Sequence, residues 1–271
     1  MRAYTKITGH PRLWDDKHPC WPLKADGTKY IKISKKKRLA MGALGEWPKL
    51  YPSVTAVQKP CNFTWINQWY LSVAIRTAAE SKTWRNYPDA ETCRKVLAKE
   101  VSDALSVAAD RGTELHDVFA KDVLAATFGS APETHPVASL VTLLEGLGLD
   151  IRTAAVEQSF CCDRFPRMPY AGTIDIVGQG FLVDWKTMVN KRDLHDTEFS
   201  QLTMYSLAHE HALELREAPV LILMPVLQET EKMQGAPVIV TAEQRVKGLQ
   251  LFTAAYELCR EVGALPKGGE E

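Results

Sequence analysis

No stretch of the 271-residue chain holds the roughly 18 consecutive apolar residues that a membrane-spanning helix requires, so no membrane partner is expected. The first ten residues, MRAYTKITGH, lack the apolar stretch and small-residue cleavage site of a secretory signal, and a cytoplasmic setting is the expectation. Cysteine is sparse and scattered. None of Cys20, Cys61, Cys93, Cys161, Cys162 and Cys259 forms a C-x-x-C pair, which argues against a disulfide framework, a zinc ribbon and an iron–sulfur cluster. Net charge is lacking too, at +0, while 45% apolar residues are enough to fill the core of one large domain or two small ones.

The zero net charge hides an asymmetry. Residues 1–50 carry twelve Lys or Arg against four Asp or Glu, a head of +8, and the remainder carries twenty-one against twenty-nine, a body of −8. Within the head, the strand-like run Tyr30-Ile31-Lys32-Ile33 leads into Lys35, Lys36, Lys37 and Arg38. That run is either a solvated hairpin end or an arm that contacts phosphates, because cations bound along a polyanion release its counterions. An acidic body in a nucleic-acid protein calls for a reason, and a carboxylate metal site is one.

Periodicity divides the chain into a basic segment over 1–50, a helical region over 51–150, a strand-and-helix core over 151–266 and a frayed tail over 267–271. From Trp65 to about Leu124 apolar residues recur at three- and four-residue steps, which predicts several helices, with His116 on or at the start of one. A short helix through Leu140 to Leu144 is stopped by Gly146 and Gly148. Residues 151–162 and 170–186 alternate as strands, the latter as a hairpin turning near Gly178-Gln179-Gly180. A helix over 197–215, strands over 219–228 and 236–241, and a helix opened by Thr241-x-x-Gln244, with capping-box spacing, complete an α/β core with a helical N-terminal elaboration.

Chemistry concentrates in the hairpin. In Val183-Asp184-Trp185-Lys186, side chains alternate, so Asp184 and Lys186 share one face while Phe181, Val183 and Trp185 take the other. An acid-x-Lys match alone is weak, since Asp15-x-Lys17 and Glu80-x-Lys82 also occur, but neither follows an apolar strand. A Gly178-Gln179 turn pairs Asp175 with Leu182, and a Gln179-Gly180 turn pairs it with Asp184; both set Asp175, Asp184 and Lys186 on one face. Carboxylates that close raise each other's pKa unless a cation neutralises them, and Glu157 in the preceding strand can join. The plainer alternative is an acid–lysine salt-bridge network on a solvated sheet. His209 and His211 are two apart and share no helix face, so they are not a metal pair. Trp65, Trp69 and Trp84 read as core packing or as stacking platforms for single-strand bases.

The series Pro52-Ser53-Val54-Thr55, Arg111-Gly112-Thr113-x-x-His116, Val156-Glu157, Ala171-Gly172-Thr173-x-Asp175, Asp184-x-Lys186-Thr187 and Gln201-x-x-x-Tyr205 resembles the PD-(D/E)XK nuclease superfamily. More narrowly, it is similar to the RecB-type exonuclease branch. The resemblance spans about Pro52 to Leu213, with the motifs in order; Ile174 stands where the superfamily name has its proline, and this branch commonly has Gly-Thr-x-Asp there. It implies a restriction-endonuclease-like fold, a mixed central sheet flanked by helices, and a metal-dependent exonuclease acting on single-stranded DNA or DNA ends in recombination, repair or phage DNA processing. An endonuclease with the same core and a non-catalytic DNA-binding protein are the alternatives.

By the same resemblance Asp175 and Asp184 ligate Mg²⁺ or Mn²⁺, one or two ions, with the backbone carbonyl of Trp185, His116 and Glu157 as further ligands. Lys186 orients the attacking water and stabilises charge on the phosphate. Gln201 and Tyr205, one helical turn apart, support the site or touch the nucleic acid. Ser53 and Thr55 position the strand, and Arg111 contacts substrate; Lys35, Lys36, Lys37 and Arg38 lie outside the span of the resemblance and are candidates for substrate contact from their charge alone.

Overall fold

The computed structural model describes residues 3–5, 50–58, 63–81, 83–87, 89–162, 164–165, 167–189, 193–213 and 218–262. The basic run Lys35 to Arg38 and the tail over 267–271 lie outside the described residues. Strand β1 (Ala3–Thr5) pairs with β2 (Leu50–Pro52), and Ser53 then bridges to Ala171 before the short helix α1 (Val54–Gln58).

Helices α2 (Phe63–Glu80) and α3 (Ala90–Thr127) follow and pack on each other. Asp89 caps α3 by accepting the Thr92 N–H at 2.8 Å, which satisfies one of the free donors of the first turn. The expected set of several helices is therefore largely two, and His116 lies on a helix as expected, in the second half of its 38 residues. Sequence reasoning split this helix because its first half offers only a half-buried stripe. Its fully buried residues, Gly112, Leu115, Phe119, Asp122, Val123 and Ala126, all belong to the second half, so the first twenty or so residues stand off the core, a length of about 30 Å.

Helix α4 spans His135–Gly146, longer than the sequence pattern showed, because the Thr134 hydroxyl caps it and Pro136 occupies its first turn. Residues 151–153 form a 3-10 turn, so strand β3 begins only at Ala155 and runs to Cys162. Strands β4 (Tyr170–Gly178) and β5 (Phe181–Met188) close on Gln179-Gly180, with Gly180 at φ +83°, a value that costs glycine nothing. Helix α5 (Asp196–Leu213), strand β6 (Val220–Leu227), the short β7 (Lys232–Met233) and β8 (Val238–Ile239), and helix α6 (Ala242–Glu261) follow. The expected capping box opens α6: Gln244 N–H donates to the Thr241 hydroxyl, and Thr241 N–H to the Gln244 side chain at 2.8 Å.

The central sheet runs β3-β4-β5-β6-β7, with β8 also on β6; β5 and β6 are parallel and the other pairs antiparallel. The fold is thus mixed α/β with a mixed sheet flanked by helices. On one face α1, α5 and α6 pack Val54, Leu202, Tyr205, Phe252 and Tyr256 over Phe160, Tyr170, Ile174, Leu182 and Leu223. On the other, Leu115 and Phe119 of α3 and Leu140 and Leu144 of α4 cover Ile176, Val183, Trp185 and Met224. Phe119 and Trp185 are in ring contact at 4.9 Å between centroids, a pair that adds about 1 kcal/mol beyond its buried area and ties α3 to β5. Among the described residues no helix is long and apolar enough to cross a membrane.

Candidate active site

The Gln179-Gly180 turn selects one of the two registers left open by the sequence. Gly178 pairs with Phe181, Val177 with Leu182 and Ile176 with Val183, which aligns Asp175 with Asp184. Pairing ends there. The Oδ2 of Asp175 accepts the Trp185 N–H at 2.7 Å, so the carboxylate takes a donor on β5 that a backbone carbonyl would otherwise receive.

A second irregularity faces the first. Glu157 stands opposite Asp175 in the register of β3 and β4 and has φ +53°, left-handed backbone that costs a non-glycine residue on the order of 1–3 kcal/mol. Its effect is visible in the packing. Phe160 of β3 and Ile174 of β4 join the core under α5 and α6, whereas Val156 and Ile176, even-numbered likewise, join the core under α3. Strict alternation would keep each pair on one face. The pleat therefore switches sides at Glu157 and Asp175, and both carboxyl groups sit at the switch.

His116 reaches this point from α3, with Nδ1 3.4 Å from Asp175 Oδ1. A glycine lets α3 close in on the sheet. In Arg111-Gly112-Thr113, a Cβ on Gly112 would lie 3.0 Å from the Thr187 hydroxyl and 3.3 Å from Gln228 Nε2, so α3 crosses β5 closely enough that any larger residue would make these side chains give by a few tenths of an ångström. Gln228 Nε2 also donates to the Ala108 carbonyl at 3.2 Å. Hydrogen-bonding atoms of His116, Glu157 and Asp175 lie within 4.8 Å of one another, a group able to hold a metal ion.

Asp184 is buried beside that group, its charge felt by His116, Glu157 and Asp175, and it forms an ion pair with Lys186. The Lys186 ammonium also donates to Gln201 Oε1 at 2.8 Å, and Gln201 Nε2 donates to the Tyr205 hydroxyl at 2.7 Å. A chain of contacts thus runs Asp184, Lys186, Gln201, Tyr205 along the face covered by α5. Tyr205 is 4% exposed, its ring packed in the core beneath α5 and α6.

The electrostatics are those of crowded acids. Desolvation, then the charge of Asp175, pushes the Glu157 carboxyl up to about 7, although part of its side chain meets solvent. Burial likewise raises Asp184 to about 6 despite the opposing pull of Lys186. For His116, burial works against the imidazolium, but the adjacent Asp175 carboxylate outweighs it and the pKa is raised. Lys186 is raised too: burial opposes its charge, and Asp184 and Glu198 more than offset that. Asp184 Oδ2 is buried and, apart from its ion pair with Lys186, receives no hydrogen bond of regular geometry. Two carboxylates and an imidazole, a third carboxylate beside them, and a buried oxygen short of donors all fit a divalent cation.

The remaining expected residues are less central. Ser53 is 3% exposed, and its hydroxyl lies 3.3 Å from that of Thr55, which is exposed. Arg111 is held at the surface by Glu114 at 3.2 Å and by Glu231 in the turn after β6. The residues that sequence reasoning missed are Gln228 and Glu198; Gly112, Gly172 and Thr187 stood in the motifs without a role of their own. Glycine inside a helical pattern and inside a strand pattern is a signal of close approach, and it marks both glycines.

No family of known proteins matches the chain, and no curated protein does. Among solved structures, a protein from Eubacterium rectale described as a "Putative exonuclease" is similar in shape, with a TM-score of 0.43 and 13% identity over 87% of this chain and 89% of its own. A likeness at that level carries no argument about the chemistry.

Proposed function

We propose that the chain is a metal-dependent deoxyribonuclease of the PD-(D/E)XK type, an exonuclease that acts on single-stranded DNA or on DNA ends in recombination, repair or phage DNA processing. The observation that carries this reading is the aligned pair Asp175 and Asp184 at the point where β4 and β5 part, with Lys186 two residues on and His116 and Glu157 facing Asp175.

Phosphodiester hydrolysis needs a nucleophile at neutral pH and compensation of charge developing on the phosphate. Asp175, Glu157, His116, Asp184 and the Trp185 carbonyl would hold Mg²⁺ or Mn²⁺, which supplies an acidified water and neutralises phosphate oxygens. Asp175 keeps one oxygen on the Trp185 N–H and presents the other toward His116, so its orientation is fixed before any ligand arrives. Lys186 brings a positive charge that the acids lack; anchored by Gln201, its ammonium orients the water and stabilises the phosphate as charge builds. Thr55, the exposed member of the Ser53–Thr55 pair, would meet the strand.

The stretch of α2 and α3 that stands off the core suits an arch over the site through which a strand is threaded. That feature favours a free end as the substrate. The test is end-labelled linear single-stranded DNA beside a closed single-stranded circle, each with Mg²⁺, Mn²⁺ or EDTA. Degradation of the linear strand with the circle spared supports the exonuclease; nicking of the circle at the linear rate favours an endonuclease with the same core.

A further inference from the structure

Gly172 lies in β4, three residues before Asp175, on the face covered by α5. A Cβ built there would sit 2.7 Å from Cε1 of Tyr205 and 3.0 Å from Cζ of Phe160. The first distance is below any contact a real Cβ makes, and the Tyr205 ring cannot swing aside freely. It is buried, packed edge-on against Phe160 at 5.4 Å, and its hydroxyl receives the Gln201 amide.

That last bond has a consequence for the lysine. An amide side chain has one accepting and one donating end. By accepting from Nε2, the Tyr205 hydroxyl turns Oε1 of Gln201 toward the Lys186 ammonium, the only end of the amide that an ammonium can use. Loss of the tyrosine contact lets the amide rotate and leaves Lys186 to the pull of the acids Asp184 and Glu198, drawn back from the place where a phosphate would sit.

We propose that Gly172 is a positioning residue for Lys186, acting through the Tyr205 ring and the Gln201 amide. The missing side chain leaves the space in which the ring seats; the seated ring fixes the amide; the amide holds the ammonium forward. The inference rests on the nuclease reading for its effect on rate, but the geometric linkage stands apart from it.

The experiment is a double-mutant cycle on the full chain with Gly172→Ala and Tyr205→Phe, read by single-turnover cleavage of labelled linear DNA and by the side-chain amide resonance of Gln201, assigned with Gln201→Leu. Each single substitution is expected to lower kcat about tenfold or more with KM for DNA and the Mn²⁺ half-saturation unchanged. The double variant is expected to be no slower than the slower single, because the second change acts on a link already broken. The Gln201 amide resonance shifts in both singles. Full additivity in the cycle, or an unmoved Gln201 resonance in Gly172→Ala, overturns the proposal. If Gly172→Ala does not fold, the cycle is run in a Phe160→Leu background, where the added methyl has room on the Phe160 side and still meets Tyr205. If wild type cleaves no DNA, the nuclease reading fails, and the resonance alone decides whether Gly172 governs Gln201.

Discussion

Asp175 and Asp184 occupy the same register of the antiparallel strands β4 and β5, and the ladder between those strands stops one residue short of them. The hairpin is regular from its turn to Ile176 and Val183; beyond, Asp175 inserts its carboxylate and takes the Trp185 N–H itself. The opening is therefore built by the acid that uses it. Glu157, left-handed across from Asp175, adds a carboxyl at the same level and switches the pleat so that α3, carrying His116, packs against the far side.

Metal and pH should act together on stability. Glu157 and Asp184 have folded pKa values of about 7 and about 6, above their ordinary 4.5 and 3.8, and His116 is raised as well. A group raised in the folded state contributes stability that is present below its unfolded pKa and is lost as pH rises through the folded value. All three shifts have this sign. The metal-free protein should lose thermal stability between about pH 5 and pH 8, and Mn²⁺ should restore more of it at pH 8 than at pH 5. Melting curves of wild type and Glu157→Gln, with and without Mn²⁺, check this; the variant should show the shallower decline, and an equal slope in both would contradict the assignment.

Gly112→Ala separates site geometry from stability. Alanine is favoured over glycine within a helix by about 1 kcal/mol, but here its Cβ meets Thr187 and Gln228 and pushes α3 from β5. His116 moves with the helix. Calorimetric titration should show Mn²⁺ affinity reduced several-fold while the melting temperature changes little; unchanged affinity would show that the crossing distance does not set the His116–Asp175 geometry.

Much of this site was legible in sequence because it depends on rules of short range. A two-residue turn with glycine narrows the register to two choices, alternation puts Asp184 and Lys186 on one face, and the Thr241–Gln244 spacing announces a capping box. What was hidden depends on contacts between distant elements. Alternation predicts nothing about Glu157, whose left-handed backbone breaks the pattern that alternation assumes. It placed Asp175, Asp184 and Lys186 together but not the hydrogen bond from Lys186 to Gln201, which depends on how α5 packs on the sheet. The length of α3 was hidden because its outer half packs on a neighbouring helix instead of the core.

The basic head gives a prediction that rests on charge alone. Neutralising Lys35, Lys36, Lys37 and Arg38 to Gln should weaken binding of single-stranded DNA and flatten the dependence of log Kd on log salt, while Mn²⁺ affinity stays as in wild type. Fluorescence anisotropy across a salt series measures both. Equal affinity and equal slope would make the run a solvated surface.

Lys186 and Asp184 should differ in what their loss removes. Lys186→Ala should retain Mn²⁺ binding and lose cleavage, since lysine is no ligand, whereas Asp184→Ala should lose both. Calorimetric titration of Mn²⁺ into each variant distinguishes the roles; weaker Mn²⁺ binding in Lys186→Ala than in Asp184→Ala would reverse them.

The most direct test of the metal-dependent nuclease is single-turnover cleavage of an end-labelled linear single strand by purified wild type, Asp184→Asn and Lys186→Ala, each in saturating Mn²⁺ and in EDTA. Wild type should degrade the strand with metal and leave it intact in EDTA, and each variant should be slower by about a hundredfold or more. Cleavage by either variant at the wild-type rate, or by wild type undiminished in EDTA, would contradict the assignment of this site.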